Sequence, residues 1–357
     1  MEQIKYDMSH TIFSLVKENG KTSIKWNYNI VPKASLDSLR ATHELYSENY
    51  FIWLNDNRKK LKPKNERTCR FCGKSYPEVK FSKKAHLFPE SLGNKVHFSD
   101  FECDDCNYKF GLHENDFSNF LGPYRTISEI PKKGGFPKFK SRKQEMEIEQ
   151  VQKNVIDINI SEPNKNNNIS YSRDGDILRI QAEGNPYKPI NVFKCLLKTA
   201  VSMVDQNDLV DLSETIKFLT DDSYVRNPSY DFILKMHQYF IPGNFDVPPF
   251  LITYKKSAKY EKVPSPSQIF IFYIRNLIFQ IFIPFHAKDK LLYNQNTKRQ
   301  MFIVPPLINV MWLDKFGGPF PRMYNLNDSN TTKKNIQVLE YKLSKNRDSK
   351  KNPKIDI

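Results

Sequence analysis

Two pairs of cysteines, Cys69 with Cys72 and Cys103 with Cys106, constrain this chain more than anything else in it. In each pair the Cys-x-x-Cys spacing lets one tight turn present two sulfurs to one ion. Two such turns supply the four thiolates of a closed tetrahedral zinc site. The alternatives are two disulfides, or four thiols without metal. The first residues, MEQIKYDMSH, lack a basic start, an apolar stretch and a cleavage site, so a cytoplasmic, thiol-reducing setting is expected. In that setting matched pairs are read as metal ligands. A closed four-cysteine site is structural, so the zinc is expected to hold a small unit in shape and to leave the chemistry to other residues. The fifth cysteine, Cys195, lies in an apolar stretch and is read as a buried side chain.

The charge balance points to a polyanionic partner. Lys and Arg number 55 against 40 Asp and Glu, a formal excess of +15 that attracts nucleic acid at long range, although such a surplus also serves solubility alone. With 26 Phe and 18 Tyr against 12 Gly, the chain has the material for a packed core, which excludes global disorder. The run IFIFYIRNLIFQIFIPF at 269–285 is long enough to suggest a membrane span. Arg275, Asn276 and Gln280 interrupt it and Pro284 ends it, so two buried strands joined by a tight turn are expected instead.

The expected class is α+β: a small zinc-stabilised unit plus a larger C-terminal region with a mainly antiparallel sheet. Residues 1–65 read as a hairpin turning at Asn19-Gly20, followed by a helix from Ser35 to about Lys60. Residues 66–130 carry the cysteines. The Gly-, Pro- and Lys-rich stretch 131–150 reads as a basic linker. Residues 151–325 form the second domain, with strands to 183, a helix over Val192–Val204 and strands again from Pro248 to Pro306, and would select substrate, sense a trigger or bind a partner. Residues 326–357 are polar and Lys-rich and read as a flexible tail.

Between and after the cysteine pairs stand His86-Leu87-Phe88-Pro89, Gly93-Asn94 and Cys103-Asp104-Asp105-Cys106-Asn107. In this order they resemble HNH endonucleases, whose ββα-metal motif runs from a His and an apolar pair with Pro, through a Gly-Asn loop, to a Cys-x-x-Cys-Asn helix start. The resemblance covers residues 66–125. It implies His86 as the general base acting on water, Asn94 as the loop residue that braces it, and Asn107 as a ligand of a catalytic divalent ion. Mg²⁺ or Mn²⁺ would suit an amide oxygen, and a neutral imidazole suits proton abstraction near cellular pH.

Many family members carry an Asp or His directly before the base, where this chain has Ala85. The missing ligand is expected from Glu114 or Asp116 on the following helix; otherwise the ion is held mainly by Asn107 and the substrate, or the site is inactive. His97 and His113 lie near in sequence but are read as solvated or core-edge residues, and Asn94 could also serve simply as a turn residue. Phosphate contacts are expected from Lys109, Tyr124, Arg125, Lys132, Lys133, Lys138 and Lys140, with Phe136 and Phe139 as stacking surfaces. The implied activity is metal-assisted hydrolysis of DNA, and the resemblance suggests antiphage defence or restriction as its setting. RNA as the substrate, or a catalytically silent nucleic-acid-binding protein scaffolded by zinc, are the alternatives.

Overall fold

The structure, a computed structural model, describes residues 13–18, 21–26, 40–53, 61–130, 135–152, 155–161, 168–173, 175, 177–240, 249–294, 296–301 and 322–342. Strands β1 (Phe13–Glu18) and β2 (Lys21–Trp26) pair antiparallel as a hairpin. Residues 40–45 are helical, but the helix expected to run to Lys60 gives way to strand β3 (Tyr46–Trp53). The aromatic and β-branched residues Tyr50, Phe51, Ile52 and Trp53 suit a pleated surface, and the free edge of a distant strand, Phe250–Lys256, provides it. The proposed cap, Ser35, lies outside the described residues.

The zinc-type unit follows as β4 (Ala85–His86), β5 (Phe98–Ser99), the long helix α1 (Asp104–Leu121) and the short α2 (Tyr124–Ile127). The expected linker is folded where it is described. Strand β6 (Phe139–Lys140) pairs with β7 (Met146–Gln152), which pairs with β8 (Val155–Ile160). Lys138 and Lys140 are ion-paired with Glu147 across this sheet, and Lys138 also reaches Glu149. Phe139 is buried beneath them.

Next come β9 (Ile169–Tyr171), β10 (Ile177–Gly184), helix α3 (Pro189–Met203) and helix α4 (Ser213–Thr220). Proline at the start of α3 needs no amide partner there, and the helix is buried over nearly its whole length, Lys194 and Lys198 included. The remaining strands are β11 (Lys235–Phe240), β12 (Phe250–Lys256), β13 (Gln268–Ile274), β14 (Leu277–Phe282), β15 (Arg322–Asn325) and β16 (Asn335–Lys342). The apolar run at 269–285 is two buried strands turning at Arg275-Asn276, as expected. No helix among the described residues is long and apolar enough to cross a membrane.

Among the described residues the main sheet has six antiparallel strands in the order β15-β11-β14-β13-β12-β3. The tail expected after Asn325 is ordered as far as it is described: β16 pairs with β10 along its length and buries Leu339. Polar side chains fasten it. Asn335 donates to the carbonyls of Asn119 and Asn185, and Gln337 to that of Phe120. Composition alone disfavours order in such a segment, but these bonds at the end of α1 supply a template for it.

The cysteine-bearing unit shares its core with the rest of the chain. α1 packs along α3, Phe88 meets Phe272 of β13 at 5.7 Å between ring centroids, and Phe117 meets Phe279 of β14 at 5.3 Å. The loop after His86 and helix α1 therefore rest on the face of the six-stranded sheet.

Candidate active site

The four cysteine sulfurs lie within 4.8 Å of one another, and Cys72 Sγ is 3.8 Å from Cys103 Sγ. Four thiolates at Zn–S distances of about 2.3 Å define a tetrahedron with edges of roughly 3.8 Å, so the cluster fits zinc. The first pair sits on a turn closed by Gly73 N–H to the Cys69 carbonyl. Cys103 caps α1, putting Cys106 one turn along the helix. Asp104 accepts from the amides of Ser82 and Lys83 and its own amide donates to Lys80, which ties the helix start to the strand approach. Packed this closely, the thiols cannot all ionise unaided. Hydrogen bonding with Cys106 pulls Cys69 down to about 5, whereas burial pushes Cys103 up to about 12. A bound cation would hold all four as thiolates.

β4 and β5 pair through Ala85 opposite Ser99 and His86 opposite Phe98. The loop between them is organised by Asn94, a buried residue whose every polar atom is used. Its Nδ2 donates to the carbonyls of Phe88 (2.8 Å) and His97 (2.9 Å), and its Oδ1 accepts from the amides of Val96 (3.2 Å) and His97 (2.9 Å). Gly93, with φ 89°, ends the short turn Glu90–Leu92 in the left-handed region that glycine enters without penalty. Asn94 thus has no atom left for substrate and acts on the loop that carries His86.

The half-buried His86 imidazole packs on the Phe98 ring at 5.0 Å and makes no hydrogen bond among the described residues. Burial lowers its pKa, with Glu90 opposing and Lys198 adding to the shift, so near neutral pH it is an unprotonated base. On α1, Asn107 and Glu114 stand seven residues apart on one helical face and, among the described residues, their side chains make neither a hydrogen bond nor an ion pair. Burial raises Glu114, with Lys198 opposing and Glu90 adding. Glu90 therefore lies close enough to act on both His86 and Glu114.

Lys198 escaped the sequence reading. Its ammonium is buried, 3.0 Å from Glu102 Oε2, and donates to the backbone carbonyl of His86. Glu102 immediately precedes Cys103 and is also buried; desolvation pushes it up to about 7 against the pull of Lys198. A second lysine four positions on from Lys194 within a largely apolar helix was a legible oddity. Its partners, more than ninety positions away, were not.

Other expected residues are already engaged. Asp116 accepts from Asn191 (2.6 Å), and Lys109 pairs with Asp222 (2.5 Å). Arg125 donates to the Ser91 carbonyl (2.8 Å), bracing the same loop, and Tyr124 donates to the Val338 carbonyl (3.2 Å). His113 is buried beside Phe110, its pKa brought down to about 3 by desolvation, and His97 faces Phe88. Cys195 is buried. Phe136 is exposed, while Lys132 and Lys133 lie outside the described residues.

Residues 69–119 match the family model described as HNH endonuclease, a span that begins at the first zinc-type cysteine and ends in the last turns of α1. No curated protein and no solved structure matches the chain.

Proposed function

We propose that this chain, carrying an HNH endonuclease unit at residues 69–119, hydrolyses phosphodiester bonds in DNA with His86 as the general base and a divalent ion at Asn107. One observation carries the reading. The side chains of His86, Asn107 and Glu114 make no hydrogen bond or ion pair among the described residues, whereas Asn94, Asp116 and Lys198 around them are engaged inside the protein. Buried or half-buried polar groups without partners are costly and mark places where a ligand completes the bonding.

The carboxamide oxygen of Asn107 and the carboxylate of Glu114 are hard donors suited to Mg²⁺ or Mn²⁺, and Glu90 is the further acid to stand in for the residue replaced by Ala85. When bound, the ion supplies charge neutralisation on the phosphate and on the departing oxygen. His86 takes the proton from the attacking water, and its neutral state near pH 7 follows from burial. Lys198 holds the carbonyl of His86 itself and Asn94 that of Phe88 two residues on, so the approach of the base to the phosphate is set by the fold. Zinc held by the four cysteines would keep the start of α1, and hence Asn107, in register with β4. A role in antiphage defence or restriction fits such a nuclease.

The test is nicking of supercoiled plasmid by the full chain with Mg²⁺ or Mn²⁺, against His86→Ala and Asn107→Ala. Loss in both variants, with zinc content retained, supports the enzyme. Wild-type protein that binds plasmid without cutting it under either metal would make the unit a silent binding scaffold. Cleavage of RNA instead of plasmid would reassign the substrate.

A further inference from the structure

A cavity of about 920 Å³ opens between β11, β15 and the turns Pro228–Tyr230 and Ala287–Tyr293, and no residue of the nuclease unit lines it. A second, of about 580 Å³, adjoins it, the two sharing Tyr230, Phe285 and Tyr293. These three rings form an aromatic wall. Phe285 and Tyr293 lie nearly parallel with centroids 5.6 Å apart, and Tyr230 stands edge-on to both, at 4.9 and 6.2 Å. Phe285 has φ 61°, a left-handed conformation that a bulky side chain rarely adopts, and the Tyr293 hydroxyl holds it by accepting its amide at 2.8 Å. Strain of this kind persists where the surroundings require a ring in one place.

The charges of the larger cavity are those of an anion site. Lys235 and Arg299 line it, and among the described residues neither makes an ion pair. Arg299 lies with its guanidinium 4.0 Å over the Phe232 ring and donates through Nε to the Leu292 carbonyl, which fixes it while leaving its terminal nitrogens unpartnered among the described residues. The one acid in the lining, Asp231, is already bound by Arg226 at 2.8 Å and Asn327 at 2.6 Å. A purely apolar ligand would strand two cations, and a cationic one would meet them. A planar aromatic group joined to an anion satisfies both the wall and the charges, and the volume lies within the range of small-molecule sites, roughly 300–1,000 Å³.

We propose that this cavity binds a nucleoside phosphate, its base against Tyr230, Phe285 and Tyr293 and its phosphate on Lys235 and Arg299. The nucleotide is either free in solution or one unit of a single strand. The inference stands independently of the nuclease reading.

Calorimetric titration of the full chain in the His86→Ala background, with ATP and with the pentanucleotide dT5, tests it. Saturable binding of one ATP per chain is expected. Lys235→Gln and Arg299→Gln should each weaken it about tenfold through loss of a charge-assisted contact. Tyr230→Leu should weaken it by between about tenfold and a hundredfold through lost stacking. Competition between ATP and dT5 would identify a strand-borne nucleotide as an acceptable ligand, and ATP binding without dT5 binding a free one. Binding of neither probe overturns the proposal, as does binding that Lys235→Gln and Tyr230→Leu both leave unchanged. Displacement of ATP by N-acetylphenylalaninamide, with no effect of Lys235→Gln, would assign the cavity to a peptide and overturn it equally.

Discussion

Replacing Lys198 by methionine should damage both stability and cleavage, and the two effects can be separated. The Lys198 and Glu102 side chains are 3% and 0% exposed with nitrogen and oxygen 3.0 Å apart, so the substitution strands a carboxyl group in the interior. Removing one partner of a buried pair costs about 3–5 kcal/mol. Burial already holds Glu102 up to about 7, so the stranded group can take a proton, and the lower end, about 3 kcal/mol, is expected. That is a large share of a typical stability of about 5–15 kcal/mol. Removing both charges, in Lys198→Met with Glu102→Leu, should recover most of the loss, because no buried charge remains. Cleavage should stay impaired in the double variant, since the His86 carbonyl has still lost its donor. Urea unfolding reports the first effect and plasmid nicking at saturating Mn²⁺ the second. A double variant that regains stability and full nicking together would show that Lys198 does not position His86, and a cost below about 1 kcal/mol for Lys198→Met would show that the pair is not buried in solution.

Asn94→Ala leaves the carbonyls of Phe88 and His97 and the amides of Val96 and His97 without their partner, so a loss of about 2–4 kcal/mol is expected in urea unfolding, with nicking reduced even at temperatures where the variant stays folded. Stripping zinc with a chelator, or Cys106→Ser, should loosen the 66–125 unit, seen as faster amide exchange along α1 by mass spectrometry; unchanged protection would remove the cluster from any structural role. The buried His237 has a pKa lowered from 6.5 to about 4 by burial, so its unfolded form binds the extra proton between those values. Stability from this group is complete above pH 6.5 and is lost as pH falls toward 4, which makes His237→Leu less acid-sensitive than the parent by on the order of 2 kcal/mol between pH 6.5 and about pH 5. Identical pH slopes in urea midpoints for the two proteins would contradict this.

The cysteine unit was legible because its information is local. Cys-x-x-Cys turns, a Gly-Asn loop and the cap of α1 each depend on residues a few positions apart, and the strand pair at 269–285 was recognisable from β-branched and aromatic residues around a polar turn. Where the reading failed, the deciding partner was remote. Tyr46–Trp53 has apolar spacing compatible with a helix and becomes a strand because β12 offers an edge, while Asn335–Lys342 has the composition of a tail and becomes a strand against β10. Charge misled for the same reason: Lys109, Lys138 and Arg125 looked available to phosphate, yet each finds its partner inside the protein.

The order of residues alone therefore determined the four-cysteine frame and the Gly-Asn loop beside it, since covalent spacing and backbone geometry are enough to bring sulfurs and a loop together. Only the tertiary structure decided that Lys198, from a helix far along the chain, grips the backbone of His86, and that Phe88 and Phe117 seat the unit on the main sheet. Burial of aromatic surface makes those long-range contacts favourable, and a pattern read along one strand of sequence carries no record of which distant surface a side chain will meet.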